Sequence, residues 1–320
     1  MSRVLITGAT GFLGAPLVLR CVEEGHAITG TYRRTPPPDG PAATGVGWAH
    51  VDLIDGEAVA QLLRDARPDA VIHLAAQSST AESWRDPQQT YRDNVMAQVS
   101  LLEACRTLDT PPMVVVAGSS DEYGMPCHQV GSIAEEHRLA PLTPYGVSKA
   151  AQDLMARQYF LSAQVPTCVF RPFLQIGPGR SDRFFSGAFA RQVVAIEMGK
   201  QPPVIEVGNI ELIRDMTDVR DVARACTSLM THGATGEAYN VSSGVARRVG
   251  DLLETMIQAS GIQAEVRQKP IEHRSVEPDR LVGDSTKLRS LTGWKPEISF
   301  RDSAHDMLED WRDRYRTGLV

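Results

Sequence analysis

Short apolar runs alternate along this chain with stretches of helical periodicity. Val4 to Ile6 is an aliphatic run that breaks at Gly8, and apolar positions at helical spacing follow at Phe12, Leu17, Val18 and Cys21, which predicts strand, tight turn and helix. His26 to Tyr32 reads as a second strand, Thr35 to Gly47 as a Pro- and Gly-rich loop, and Trp48 to Val51 as a third strand. A helix over Gly56 to Ala66 leads to Ala70 through Ala75, a compact apolar run predicted as a buried parallel strand. From Gln88 to Leu108, Val95, Val99, Leu102 and Leu108 recur at helical spacing and offer one wide face to the core or to a dimer seam. Met113 to Ala117 and Thr167 to Arg171 are the fifth and sixth strands. Strands alternating with helices imply an α/β fold with a doubly wound parallel sheet, whose ligands belong at the carboxyl edge of the strands.

After about Phe173 the pattern changes. Asp218 to His232 is predicted as a helix, Glu237 to Val241 as a strand, and Val249 to Ser260 as an amphipathic helix with Leu252, Leu253, Met256 and Ile257 turned inward. The last helix, Phe300 to Tyr315, carries charge on most faces and is expected at the periphery. The expected organisation is a first domain over 1–172 and a smaller α/β lobe over 173–320, with some chain crossing back; 320 residues suffice for two lobes sharing a cleft.

Lys and Arg number 33 against 39 Asp and Glu, and basic residues do not cluster with aromatics, which argues against nucleic acid as a partner. The five cysteines, Cys21, Cys105, Cys127, Cys168 and Cys226, are widely spaced with no Cys-x-x-Cys pair, so reduced buried thiols and no metal are expected. The chain passes directly into its first strand without a charged leader, and no apolar run approaches membrane-spanning length; a cytoplasmic protein is expected.

Gly8, Gly11 and Gly14 are the first candidate site. Between strand and helix, such glycines allow a tight turn, let backbone N–H groups approach a pyrophosphate and let helix pack on strand, with the helix N-terminus toward the anion. The second strand ends in Arg33 and Arg34, where an NAD-preferring unit would carry an acid, so both guanidinium groups stand where a ribose 2′-phosphate would lie. NADP(H) is the expected cofactor, with NAD(H) the other possibility. His73 falls inside an apolar run and is read as a satisfied core residue. Past the fifth strand comes Gly118-Ser119-Ser120-Asp121-Glu122-Tyr123-Gly124, and later Pro144-Tyr145 with Lys149 opening a helix. Tyr145 and Lys149, four apart, share a helix face, so the ammonium could lower the phenol's pKa and reach a cofactor ribose. Ser119 could hydrogen-bond the same substrate oxygen.

These blocks, together with Ser148-Lys-Ala-Ala-Gln-Asp153, Arg171-Pro-Phe, Ile176-Gly-Pro-Gly179, Ser181-Asp-Arg-Phe184, Val207-Gly-Asn209, Arg214-Asp-Met-Thr-Asp-Val-Arg-Asp221, Leu281-Val-Gly-Asp284 and Leu291-Thr-Gly-Trp294, run almost the whole chain. The chain resembles the extended short-chain dehydrogenases/reductases acting on nucleotide sugars, nearest to the GDP-4-keto-6-deoxy-D-mannose reductases. The resemblance implies a Rossmann domain with Ser119, Tyr145 and Lys149 as catalytic residues and Asp121 beside them. It implies Gly8, Gly11, Phe12, Leu13 and Gly14 around the pyrophosphate, Asp52 and Leu53 near the adenine, and Leu74 at the cofactor. It implies Ser120, Arg214 and Arg274 on the substrate, two arginines suiting two phosphates. NADPH-dependent reduction of a nucleotide-linked 4-keto-6-deoxyhexose, GDP-linked, by a homodimer is the implied activity. A dehydratase or epimerase that recycles a bound cofactor is the alternative, and a non-catalytic sensor is disfavoured by the intact catalytic set. Three departures stand out: Leu174-Gln175 replaces the Asn-His usual after Arg-Pro-Phe, Asp121 replaces a Glu, and Ser275 replaces the Pro after Arg274.

Overall fold

The computed structural model describes residues 1–37, 45–124, 131–269 and 277–320. In chain order the first half runs β1 (Arg3–Thr7), α1 (Gly14–Glu23), β2 (Ala27–Tyr32), β3 (Val46–His50), α2 (Gly56–Ala66), β4 (Ala70–His73), α3 (Thr80–Arg85), α4 (Pro87–Tyr91), a π-turn over Arg92–Met96, α5 (Ala97–Arg106), β5 (Met113–Ala117), a 3₁₀ turn over Ser120–Glu122 and α6 (Pro144–Ala163). The second half runs β6 (Thr167–Pro172), β7 (Leu174–Ile176), α7 (Phe185–Glu197), β8 (Val204–Val207), β9 (Ile213–Asp218), α8 (Val219–His232), β10 (Ala238–Val241), β11 (Ala246–Arg248), α9 (Val249–Ser260), β12 (Glu265–Gln268), β13 (Arg280–Leu281), α10 (Thr286–Thr292) and α11 (Phe300–Arg316).

Aliphatic runs buried on both faces build a seven-stranded parallel sheet, ordered β10-β6-β5-β4-β1-β2-β3 among the described residues. The order reverses at β1, whose neighbours are β2 and β4, and the crevice beyond their carboxyl ends is where such a sheet takes its ligand. One apolar cluster covers one face of the sheet with α1 and α8, and another covers the opposite face with α2, α5 and α6. A further cluster joins α7, α9 and α11 over β8 and β9. There β9 pairs with β7, β11 and β13, which ties this cluster to the chain leaving β6.

Two expected elements come out differently. The helix predicted over Gln88 to Leu108 is interrupted by the π-turn at Arg92–Met96, and the extra residue rotates the buried face: Asp93, Asn94, Ala97, Gln98, Leu101 and Cys105 lie inward, while Val95 and Val99 are only half-buried. The last helix is not peripheral. Its charges surround a stripe at helical spacing, Ala304, Met307, Leu308 and Trp311, that is buried in the cluster with α7 and α9. The described cysteines, Cys21, Cys105, Cys168 and Cys226, are buried free thiols, and Cys127 lies outside the described residues. Among the described residues no helix is long and apolar enough to cross a membrane, and no cluster of side chains could hold a metal.

Candidate active site

The glycine turn is built from backbone. Gly8 leaves β1 at φ +69°, where a Cβ would stand 2.9 Å from the Ala75 backbone, and a Cβ on Gly14 would stand 2.3 Å from the Gly8 carbonyl oxygen. The Gly11 N–H closes the turn on that carbonyl at 3.0 Å. No side chain caps α1 and its first turn holds no acid, so its leading N–H groups and positive dipole end are left to an anion. A dinucleotide pyrophosphate fits this cradle. Beneath it, the Thr7 hydroxyl takes the Leu74 and Ala75 N–H groups, each at 3.2 Å, and lies 2.8 Å from His73 Nδ1. His73 is pushed down to about 3 by burial and by the Lys149 charge, a neutral core residue locking β1 to β4.

Arg33 is not free. It forks onto Asp93 at 2.7 and 2.9 Å and lies 3.6 Å from Asp52, while Arg34 is exposed and acts on Asp93 through space. Asp52 accepts the Ile54 N–H at 3.1 Å, and Leu53 is buried in the core.

Two helix starts place Ser119, Tyr145 and Lys149. Ser119, just past β5, caps the 3₁₀ turn by accepting the Asp121 N–H at 3.1 Å, while Glu122 reaches back to the Ser119 N–H at 2.6 Å. Thr143 caps α6 by accepting the Gly146 N–H at 3.0 Å, with Pro144 opening the helix, and this fixes Tyr145 in the first turn and Lys149 one turn later. Burial pushes the Tyr145 phenol well above its ordinary range; Asp121 and Glu122 add to the rise, and Ser119 and Arg180 oppose it. Lys149 Nζ donates to the Ala117 carbonyl at 2.8 Å, and burial pulls this amine down to about 8 against the attraction of Glu122. This bond pins α6 to β5.

Asp121, expected beside the catalytic residues, and Arg214, expected on the substrate, lie within each other's electrostatic reach. Burial raises the Asp121 carboxyl; the Arg214 charge opposes this, Glu277 adds to it, and the Thr80 hydroxyl donates to it at 3.4 Å. Arg214, on β9, donates to the Ile213 and Pro278 carbonyls, each at 2.9 Å, and lies 3.5 Å from Glu277. Ser120 is buried. Arg274 lies outside the described residues.

Residues 5–307 match the model of the family described as GDP-mannose 4,6-dehydratase. The chain belongs to this family. It is 33% identical over 314 residues to the GDP-6-deoxy-D-mannose reductase of Pseudomonas aeruginosa, covering 98% of each chain. The structure of RMD from Pseudomonas aeruginosa complexed with NADPH matches with a TM-score of 0.84 at 32% identity, over 98% of this chain and 100% of that one. The Thermus thermophilus UDP-glucose 4-epimerase complexed with NAD matches at 0.86 and 27%, over 97% and 99%.

Three residues of this member of the GDP-mannose 4,6-dehydratase family went unassigned in the sequence. Asn94, in the π-turn, bonds the Gln77 backbone at 2.7 and 3.0 Å and the Ser148 hydroxyl at 2.8 Å, tying the segment after β4 to α6. A π-turn has no sequence pattern to announce it. Glu122, buried 3.4 Å from Arg171, could have been found from its spacing to Ser119, that of a capping box. Arg180 is a cation amid glycines and phenylalanines, a pattern with no single meaning before folding.

Proposed function

We propose that this protein reduces the 4-keto group of a nucleotide-linked 4-keto-6-deoxyhexose with NADPH, the substrate being GDP-4-keto-6-deoxy-D-mannose. The observation that carries the reading is the uncapped α1 start behind a glycine turn, with Ser119 after β5 acting on the Tyr145 phenol in the first turn of α6, in a chain that aligns end to end with a reductase. Gly8, Gly11 and Gly14 would hold the cofactor's pyrophosphate, Phe12, Leu13 and Leu74 would line its path, Asp52 and Leu53 would adjoin the adenine, and Arg33 with Arg34 would meet the 2′-phosphate. Bound NADPH supplies the hydride for the carbonyl carbon. Tyr145 gives its phenolic proton to the oxygen that becomes an alkoxide, Ser119 steadies that oxygen, and Lys149 holds α6 in register and reaches the ribose. Arg214 and Arg274 would grip the diphosphate and Ser120 the sugar, with Asp121 beside the reacting carbons. The nucleotide domain would span 1–172 and the substrate lobe 173–320, and the enzyme would act as a cytoplasmic homodimer.

The test is cofactor stoichiometry. A reductase oxidises one NADPH per keto sugar converted, with NADH a poorer donor; conversion with no net loss of reduced cofactor would instead mark a dehydratase or epimerase.

A further inference from the structure

Glu122 is wholly buried in the 3₁₀ turn after β5. One carboxyl oxygen accepts the Ser119 N–H at 2.6 Å, and a Cβ on Gly118 would stand 2.6 Å from that oxygen, so the glycine leaves the room that the carboxyl fills. The other oxygen is buried with no hydrogen bond and lies 3.4 Å from Nε of Arg171, on β6. Arg171 is itself held. Its Nε donates to Asp153 at 2.7 Å, and the guanidinium also donates to the Tyr123 hydroxyl at 2.9 Å and the Glu135 carbonyl at 3.1 Å. The Tyr123 hydroxyl donates in turn to Asn240, on β10, at 2.7 Å. Asp153 belongs to α6, where Tyr145, Lys149 and Asp153 recur every four residues and so share a face.

A cap on the Ser119 N–H needs one acceptor, which a glutamine would supply without burying a second carboxyl beside Asp153. Burial and the Asp153 charge push the Glu122 carboxyl up, and Arg171 and the Ser119 N–H act against them. A carboxylate differs from an amide in accepting at both oxygens. Here the two oxygens face different partners: Ser119 on one side and, on the other, a guanidinium bonded to the helix that carries Tyr145. Ser119 is thereby referred to α6 through a side chain fixed by three other groups. Its Oγ already accepts the Asp121 N–H at 3.1 Å, so the direction of the hydroxyl is set by the turn that Glu122 holds. We propose that Glu122 is a positioning residue of the reaction, acting through Ser119 by fixing that hydroxyl relative to the Tyr145 face of α6. The proposal rests on the reading of Ser119 as the group that steadies the reacting oxygen.

Glu122→Gln keeps volume and one acceptor, and Glu122→Met removes both acceptors. With GDP-4-keto-6-deoxy-D-mannose and NADPH, kcat should fall about threefold to tenfold in Glu122→Gln and about tenfold or more in Glu122→Met. The Michaelis constant for the sugar and NADPH affinity, read by fluorescence on the protein without substrate, should stay within about twofold. The deciding measurement is a double-mutant cycle with Ser119→Ala. Because Glu122 acts through the Ser119 hydroxyl, either substitution should change kcat by no more than about twofold once that hydroxyl is gone. A merely structural role would cost the same factor in both backgrounds. Equal losses in the two backgrounds therefore overturn the proposal, as does wild-type kcat in Glu122→Gln. If Glu122→Met does not fold, Glu122→Gln carries the cycle alone. If Ser119→Ala keeps full activity, the assignment of Ser119 fails and the proposal with it; if Ser119→Ala is impaired while Glu122→Gln is not, only the role of Glu122 fails.

Discussion

The two ends of the crevice are built from different materials. At the glycine turn the contacts come from one short stretch of backbone, Gly8 to Gly14, and the selective element is the absence of Cβ atoms. At the other end, the proposed catalytic one, the groups are side chains on separated elements: Ser119 after β5, Tyr145 on α6 and Arg214 on β9. These communicate by charge and hydrogen bonding across burial. The first end should be sensitive to volume and indifferent to charge, and the second the reverse.

Tyr145→Phe is the strongest test of that contrast, since it changes almost no volume at the charged end. It should lower kcat by about three orders of magnitude or more while NADPH affinity, measured by calorimetry, stays near wild type. Gly14→Ala is the complementary test, adding only a methyl at the backbone end. That methyl meets the Gly8 carbonyl at 2.3 Å and should cost about 1–3 kcal/mol, read as roughly ten- to hundredfold weaker NADPH binding. Gly14→Ala binding NADPH normally would break the comparison.

Arg214→Ala should weaken nucleotide-sugar binding by about 1.5–3 kcal/mol with cofactor binding untouched, and Arg274→Ala should do the same. Calorimetry with the nucleotide sugar decides this; unchanged affinity in both variants removes the clamp. The arginines after β2 are a mixed case, charged groups at the backbone end. Because Arg33 is already forked onto Asp93, its loss should cost less NADPH preference than loss of Arg34. The double Ala variant should lose roughly tenfold in discrimination between NADPH and NADH, compared by steady-state kinetics.

The smallest expected effect lies between the two ends, at His73. Its folded pKa of about 3 is below the ordinary value, so between about 3 and 6.5 the unfolded chain binds a proton that the folded one does not. The stability from keeping this ring neutral is fully present above about 6.5 and is lost as pH falls from there toward 3. His73→Asn should therefore show a flatter decline of melting temperature from pH 7 to 4. An unchanged slope would mean the ring is not the buried neutral group that locks β1 to β4.

How much of this was legible beforehand follows the same divide. The Gly8 turn, the strands of the parallel sheet and the Tyr145–Lys149 pair on α6 all depend on interactions within one turn or one strand, so spacing alone exposes them. The buried stripe of α11 was also present in the spacing of Ala304, Met307, Leu308 and Trp311, but it was masked by the surrounding charge. What spacing does not carry is the identity of a partner far along the chain. Arg33 facing Asp93 and Arg214 in the field of Asp121 follow from how β2 and β9 are placed against the π-turn and the 3₁₀ turn. Local periodicity reports which face of an element is buried, because burial repeats with the helix or strand. Charge pairing leaves no period, because it is decided by the three-dimensional distance between groups that the chain brings together only when folded.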